Sequence, residues 1–517
     1  MYDAVPRPEI LPEYRSLPGA TASIDNGVPE LSPGSNNWAI GSKLTGTGTA
    51  MMVDDPHRQV TNPAHRYLLH LNAPGWNVAG ATEPTLPGVI RGHNGRVAWG
   101  RTFTETDLAD VYVEQLNPAN PNEVMWNGTW EPLRIVTEEI QVKGAPPERI
   151  ELKFSRHGPV FHEDRERGVA FALRSQLQER GTAEYLGGLR LDQASSARDC
   201  LSAANDMPMP PTNLVCADAD GNIAFRIAAF APDRRGWTGR LPVPGTGKYE
   251  WGPTRRHDLP SEYNPQRGYI ATANNDTQPR GFNPPYAYLP ADRRYRRQER
   301  IEQMIESAKS FTIDDMIRML RDSHNSEAAE HQKYFRGWTS GDASVERARA
   351  LVASWDAVMD RGSAAAAIYM TWQEHADMAA VRRGSRDAVD AGLRRAIDTL
   401  VKSQGQDWNA WRWGRMNRSE FPHSVVSAYD LPAIERQGGA GTVNAIGAVY
   451  RLVTNFGGLD RSMMTIGPGN SGQPGSPFYS NLHELWGRNE FFPLVFTRPA
   501  VDARTRHRLT LMPAARR

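Results

Sequence analysis

The stretch Ser32-Pro33-Gly34-Ser35-Asn36-Asn37-Trp38, SPGSNNW, separates two kinds of sequence. Residues 1–34 hold six prolines (Pro6, Pro8, Pro12, Pro18, Pro29 and Pro33) and no sustained apolar period, which reads as an extended leader that does not fold alone. From Trp38 to about Leu116 the pattern becomes short alternating segments, AMMVDD, RYLLHLNA, RVAWGRT and DVYVEQL, divided by Gly, Pro and Asn turns, and these predict antiparallel strands. Further on, VCADADGNIAFRIAAF carries an Asp-Gly hairpin signal between two apolar alternations. From about Arg296 to Gln404 the apolar period shifts toward 3.6, and Thr312 with Asp315 three residues later forms a capping-box start to IDDMIRML. The remainder returns to Gly-rich turns and short strands, so the order predicts an α+β fold with a mainly helical insertion over about 296–404.

Bulk properties exclude several classes of function. At 517 residues the chain exceeds the size at which one hydrophobic core usually stops growing. Its 60 Lys and Arg against 59 Asp and Glu leave no global field to attract nucleic acid or an anionic membrane. No run approaches the roughly 18 apolar residues of a membrane span, so neither partner is expected. The opening MYDAVPRPEILPEYR lacks the basic and then apolar profile of an export signal, and the chain as it stands reads as cytoplasmic.

Most of the other motifs read as structural. Cys200 and Cys216 form no CxxC pair and lie near no His cluster, so neither a disulfide framework nor a zinc site is indicated. Gly467-Pro468-Gly469-Asn470-Ser471-Gly472 matches GxGxxG, but the internal Pro and the following QPGSP make it a turn. Ser471 is no nucleophile elbow, because Gln473 stands where a Gly is needed. His57, His157 and His257 form no i,i+4 zinc pair and read singly as structural. Asp107 and Asp110, with the carbonyl between them, either offer oxygens to a hard cation such as calcium or form a solvated turn before a strand.

Ser35 admits a sharper reading. A serine acts without a His-Asp pair when it is the first residue of a mature chain, because its own α-amino group, with a pKa of about 8, serves as the base. Gly34-Ser35 is then a cleavage site: Gly34 leaves room for the Ser35 hydroxyl to attack the preceding carbonyl and tolerates the strained geometry of that attack. Taken alone, most such Gly-Ser pairs are ordinary turns.

A series of segments decides between these. SNNWAIGSK (Ser35–Lys43), DDPHR (Asp54–Arg58), LPGVIRGHNGRVAWGRT (Leu86–Thr102) and GYIATANND (Gly268–Asp276) resemble the β chain of penicillin acylases. So do SRHGPVF (Ser155–Phe161), ADADGNIAFR (Ala217–Arg226), RLPVPGTGKYEW (Arg240–Trp251), YRRQERI (Tyr295–Ile301) and GPGNSGQPGSPFYS (Gly467–Ser480), in the same order. The similarity runs from Ser35 to the C terminus.

The resemblance implies an N-terminal-nucleophile hydrolase with an αββα core, in which self-cleavage removes residues 1–34 as a spacer and leaves 35–517 as the β chain. Ser35 is implied as nucleophile and new N terminus, with the Phe103 backbone N–H and the Asn274 side chain as the two oxyanion donors. Asn275 is the alternative if the register shifts by one. His57 is implied to support the nucleophile's amine through its backbone, and Arg300 to orient the amine and the asparagine. The resemblance further implies a structural calcium on Asp107, the Ala109 carbonyl, Asp110, Pro242 and Asp292, the last being the weaker match, so chelation is expected to lower the melting temperature. It implies a periplasmic or secreted enzyme and a separate or missing α chain that completes a heterodimer and the acyl pocket. The expected activity is hydrolysis of N-acylated small molecules of penicillin, cephalosporin or acyl-homoserine-lactone type. The competing expectation is an inactive β-like fragment that acts at most as a binding or structural protein.

Overall fold

Along the strand Ser35–Ile40 successive side chains alternate between two buried environments, and that alternation sets the architecture. Trp38 and Ile40 pack against Ile301, Ile305, Met316 and Leu320, the apolar stripes of helices Arg296–Glu306 and Ile313–Leu320. Ala39 faces the other way, toward Ala98, Val215, Ile223 and Phe225 of a second sheet. The far side of that second sheet, through Val97, Trp99, Leu214 and Cys216, is covered by helices Leu189–Asp192 and Ala197–Ala203. The result is four layers in the order α, β, β, α, described by a computed structural model over residues 34–182, 186–207, 210–252, 258–283, 285–287, 294–439 and 441–512. The readings of residues 1–33, His257 and Asp292 lie outside the described residues.

The first sheet has six strands in the order Tyr269–Thr272, Ser35–Ile40, Met51–Pro56, Tyr450–Asn455, Met463–Ile466 and Phe492–Pro493. The second has seven: Ser261–Tyr263, Ile223–Ala228, Thr212–Asp218, Val97–Phe103, Arg91–His93, Trp76–Thr82 and Tyr67–Ala73. The Asp-Gly signal is the hairpin joining Thr212–Asp218 to Ile223–Ala228, with Gly221 at φ 87°. Gly100 sets the spacing of the two sheets, since a Cβ there would overlap the Asn37 amide and the Asp54 carboxylate that sit between them. The Gly467–Gly472 segment is a turn, in which the Asn470 amide hydrogen-bonds the Leu68 N–H and carbonyl as a strand neighbour would.

The helices expected over about 296–404 are of two kinds. The first two, the second of which starts with the Thr312–Asp315 capping box, form the outer layer of the four. The insertion begins only after Leu320: the helices from Ser326 to Gln404 enclose their own core of Phe335, Trp372, Leu393, Leu400 and Trp411. The cysteine reading is corrected here, because Cys200 on helix Ala197–Ala203 and Cys216 on strand Thr212–Asp218 form a disulfide. Their separation of 16 residues spells no motif, and only the packing of that helix on that strand brings them together.

A third sheet of eight strands, which includes Ala109–Asn117 and Val169–Ser175, holds His157 in a structural role. Its Nδ1 lies 2.8 Å from Glu114 and its Nε2 2.8 Å from Glu250, and the ring stacks on Tyr112. Burial pushes this imidazole down, but the hydrogen bonds to the two carboxylates outweigh it and leave His157 above its ordinary 6.5. A raised histidine stabilises the fold fully below the unfolded value and loses that contribution as pH climbs through the folded one. His157→Gln is therefore expected to cost on the order of 3 kcal/mol below pH 6.5, with the difference from wild type shrinking as pH rises, as urea unfolding at several pH values would show.

Candidate active site

Ser35 begins the first strand between the two sheets and is buried with Asn36 and Asn37. Its hydroxyl donates to the Gly34 carbonyl at 2.5 Å, and that oxygen also accepts the His57 backbone N–H at 2.7 Å. The Ser35 N–H donates to Asn274 Oδ1 at 2.7 Å. A Cβ on Gly34 would stand 3.0 Å from His57 Nδ1 and 3.2 Å from an Arg297 nitrogen, so glycine is the residue that fits beside the serine.

Asn274 reaches Ser35 because the chain turns sharply after strand Tyr269–Thr272. It adopts φ 64°, in the left-handed region that asparagine tolerates better than most residues. Asn275 is held in that turn, its Oδ1 accepting the Ala273 N–H and its amide donating to the Asp276 carbonyl. Of the two asparagines weighed from sequence, Asn274 is thus the one beside the serine.

Phe103 closes strand Val97–Phe103, and its carbonyl accepts the Asn274 amide at 3.0 Å. The neighbouring Thr104 N–H bonds the Pro211 carbonyl, so antiparallel alternation turns the Phe103 N–H away from strand Thr212–Asp218. It points with the Phe103 carbonyl, toward Asn274. The pairing of Arg91–His93 with this strand reaches only Ala98 and Trp99, well short of Phe103.

The arginine at the site is Arg297, which corrects the expectation for Arg300. Arg297 Nη1 donates to the Ser35 carbonyl at 2.8 Å and to Asn36 Oδ1 at 2.7 Å, and its Nη2 donates to Asn274 Oδ1 at 2.9 Å. Arg300 lies on another face of the same helix and is paired with Asp322, Nη2 to Oδ2 at 2.6 Å. Sequence reading also passed over Asp55, a buried carboxylate bonded to Asn36, to His57 Nε2 at 3.2 Å and to Arg451 at 3.1 Å. Burial pushes Asp55 up, but Arg451 and His57 outweigh it and hold the carboxyl at about 2. Burial, aided by Arg297 and Arg451 and opposed by Asp55, holds His57 below its ordinary value, so the imidazole is neutral near pH 7.

Three of the oxygens expected to hold calcium converge, and they meet a side-chain cation. Asp107, the Ala109 carbonyl and Asp110 share one partner, the guanidinium of Arg234. Burial raises both carboxyls, Asp110 to about 6, with Arg234 pulling the other way. Pro242 is half-buried just before Val243–Pro244, which pairs in parallel with Tyr112 and Val113.

Comparison with known proteins places this arrangement in a family. Residues 6–503 match the family model described as penicillin amidase, a span that takes in most of the proline-rich stretch before Ser35. The penicillin acylase 2 proenzyme of Pseudomonas sp. (strain SE83) is 26% identical over 551 residues, covering 93% of this chain and 69% of that protein. An acyl-homoserine lactone acylase, QuiP of Pseudomonas aeruginosa, is 26% identical over 590 residues with the same two shares. The penicillin G acylase of Escherichia coli is 32% identical over 255 residues, 49% of this chain and 30% of that protein. Among solved structures, the thermostable penicillin G acylase from Alcaligenes faecalis superposes with a TM-score of 0.75 at 20% identity, over 93% of this chain and 100% of that one, and so shares the N-terminal-nucleophile hydrolase fold. With the family model spanning nearly the whole sequence and the four-layer fold shared with a solved acylase, the chain belongs to the penicillin amidase family of amide hydrolases.

Proposed function

We propose that the protein is a self-processing acylase that removes the acyl group from N-acylated small molecules through an acyl-enzyme on Ser35. The observation that carries this reading is the convergence on Ser35: Asn274 and Arg297 hold its nitrogen and carbonyl, while its hydroxyl and the His57 N–H meet at the Gly34 oxygen.

In self-cleavage the Ser35 oxygen attacks the Gly34 carbonyl carbon and its proton passes to the Ser35 nitrogen. Negative charge that develops on the Gly34 oxygen falls on the His57 N–H already bonded there. The Gly34–Ser35 C–N bond breaks to leave an ester, which water hydrolyses to free the Ser35 hydroxyl and α-amine.

That amine then acts as base, through a water, for attack of the hydroxyl on a substrate amide. The Arg297 guanidinium beside it favours the neutral, proton-accepting form. The Phe103 N–H and the Asn274 amide stabilise the tetrahedral oxyanion, the Asn274 amide turning from the Phe103 carbonyl to the substrate. The departing amine takes the proton back, and water releases the acid from Ser35. Relatives named for penicillins and for acyl-homoserine lactones support an acylated amine as substrate class. The Cys200–Cys216 disulfide supports an oxidising compartment, periplasmic or secreted. A partner segment equivalent to an α chain completes the acyl pocket in this reading.

Two arginines three residues apart test the reading. Arg297→Ala is expected to lower kcat by about 100-fold, through a displaced amine and asparagine, and to raise the kinetic pKa assigned to that amine. Arg300→Ala, which loses bonds to Asp322 and Gln303 and none to Ser35 or Asn274, is expected to stay within about threefold of wild type. Initial rates on a panel of chromogenic acyl amides across pH make the comparison. Equal losses in the two variants, with an unmoved pH profile, would reject the role given to Arg297.

A further inference from the structure

Three of the oxygens that the resemblance assigns to calcium, on Asp107, Ala109 and Asp110, already face a cation supplied by the chain itself. The segment between strands Ile223–Ala228 and Val243–Pro244 passes over strand Ala109–Asn117 and lays Arg234 across its start. Nε donates to Asp110 Oδ2 at 2.8 Å, and Nη2 stands 3.2 Å from Asp107 Oδ1 and donates to the Ala109 carbonyl at 3.2 Å. Trp251 Nε1 donates to the same Asp110 oxygen at 2.5 Å. Arg234 is 7% exposed, and its neighbour Arg235 turns outward to Asp233. Gly239, at φ 80°, is cut to this fit, since a Cβ there would lie 2.5 Å from Arg234 Nε and Cζ.

A calcium ion needs six to eight oxygens at about 2.3–2.6 Å. Here Asp107 Oδ1, the Ala109 carbonyl and Asp110 Oδ2 face Arg234 nitrogens at 2.8–3.2 Å, Asp110 Oδ1 is buried without a hydrogen-bond partner, and an ion among them would touch a buried guanidinium of like charge. A planar fork matches carboxylate geometry where a spherical ion asks for a shell, so the two occupants exclude each other. We propose that Arg234 takes the place of the structural cation, tying strand Ala109–Asn117 to the following loop, so that this chain is stabilised without calcium. The claim is independent of the catalytic reading, because it is read from melting and luminescence rather than from hydrolysis.

The test compares wild type, Arg234→Ala and Arg234→Gln, each chelated and then supplied with millimolar calcium, alongside titration with terbium, whose emission Trp251 and Trp237 would sensitise. Wild type is expected to melt at the same temperature with and without chelator and to show no terbium emission. Arg234→Ala leaves the buried Asp110 and the half-buried Asp107 carboxylates without their cation and is expected to melt about 3–5 °C lower, to recover with calcium and to give saturable terbium emission that calcium displaces. Arg234→Gln, which keeps most of the side-chain bulk, is expected to lose stability similarly and provides the variant should Arg234→Ala not fold. A wild-type melting temperature that falls on chelation, returns with calcium and ceases to respond in Asp107→Asn would overturn the proposal. A folded Arg234→Ala that takes up no terbium would overturn it equally.

Discussion

Ser35→Ala is expected to accumulate as a single chain with the peptide bond after Gly34 intact, and to lose acyl hydrolysis by a factor on the order of 10⁴ to 10⁶. Both losses have one origin. The hydroxyl that donates to the Gly34 carbonyl is the attacking group in self-cleavage, and the amine that cleavage frees is the base for turnover. The substitution removes one buried oxygen and leaves Trp38 and Ile40 packed on their helices, so the fold is expected to persist. Ser35→Cys separates the two functions: a thiol still attacks the Gly34 carbonyl, so cleavage is expected to continue while hydrolysis falls. Intact mass and a single-substrate assay on the two variants read both effects. Undiminished hydrolysis by Ser35→Ala would remove the nucleophile from the account.

Asn274→Gly is expected to lower kcat by about 100- to 1000-fold, the usual consequence of losing one oxyanion donor. Glycine is the informative substitution because it adopts the φ of 64° seen at this position without strain, so a rate loss cannot be traced to the backbone. The Asn274 amide is placed by its bond to the Phe103 carbonyl, beside the N–H of the same residue. Self-cleavage depends on the His57 N–H instead, so the variant is expected to process at Ser35 and then turn over slowly with little change in KM. Steady-state kinetics on the processed variant distinguish this from a folding defect, which would reduce cleavage and activity together.

The parts of the fold written in local sequence were legible. Alternation in AMMVDD and RVAWGRT, the Asp-Gly hairpin and the Thr312–Asp315 cap each depend on residues close in the chain, and each is found where expected. The stacking of two sheets was carried by resemblance, because no local pattern says that Ala39 faces Val215 while Trp38 faces Met316. Gly34, Ser35, His57, Phe103 and Asn274 come together as a set for the same reason, each standing in a recognisable segment at a strand end or turn.

Arg297 was missed in favour of Arg300 because both stand in YRRQERI, and only helical phase distinguishes them. Arg297 precedes Ile301 and Ile305 at four-residue intervals, the stripe that faces the Ser35 sheet, whereas Arg300 lies off it. Arg234 and the Cys200–Cys216 pair were illegible for a different reason. Each meets its partners only through tertiary packing, Arg234 reaching back 124 positions to Asp110.

The central claim, that the Gly34–Ser35 bond is broken to make the catalytic amine, is tested most directly by intact mass and N-terminal sequencing of the active wild-type protein expressed from its full reading frame. The account predicts a polypeptide beginning Ser35-Asn36-Asn37-Trp38, with the activity confined to that form. Active protein in which Gly34 is still joined to Ser35 would contradict it.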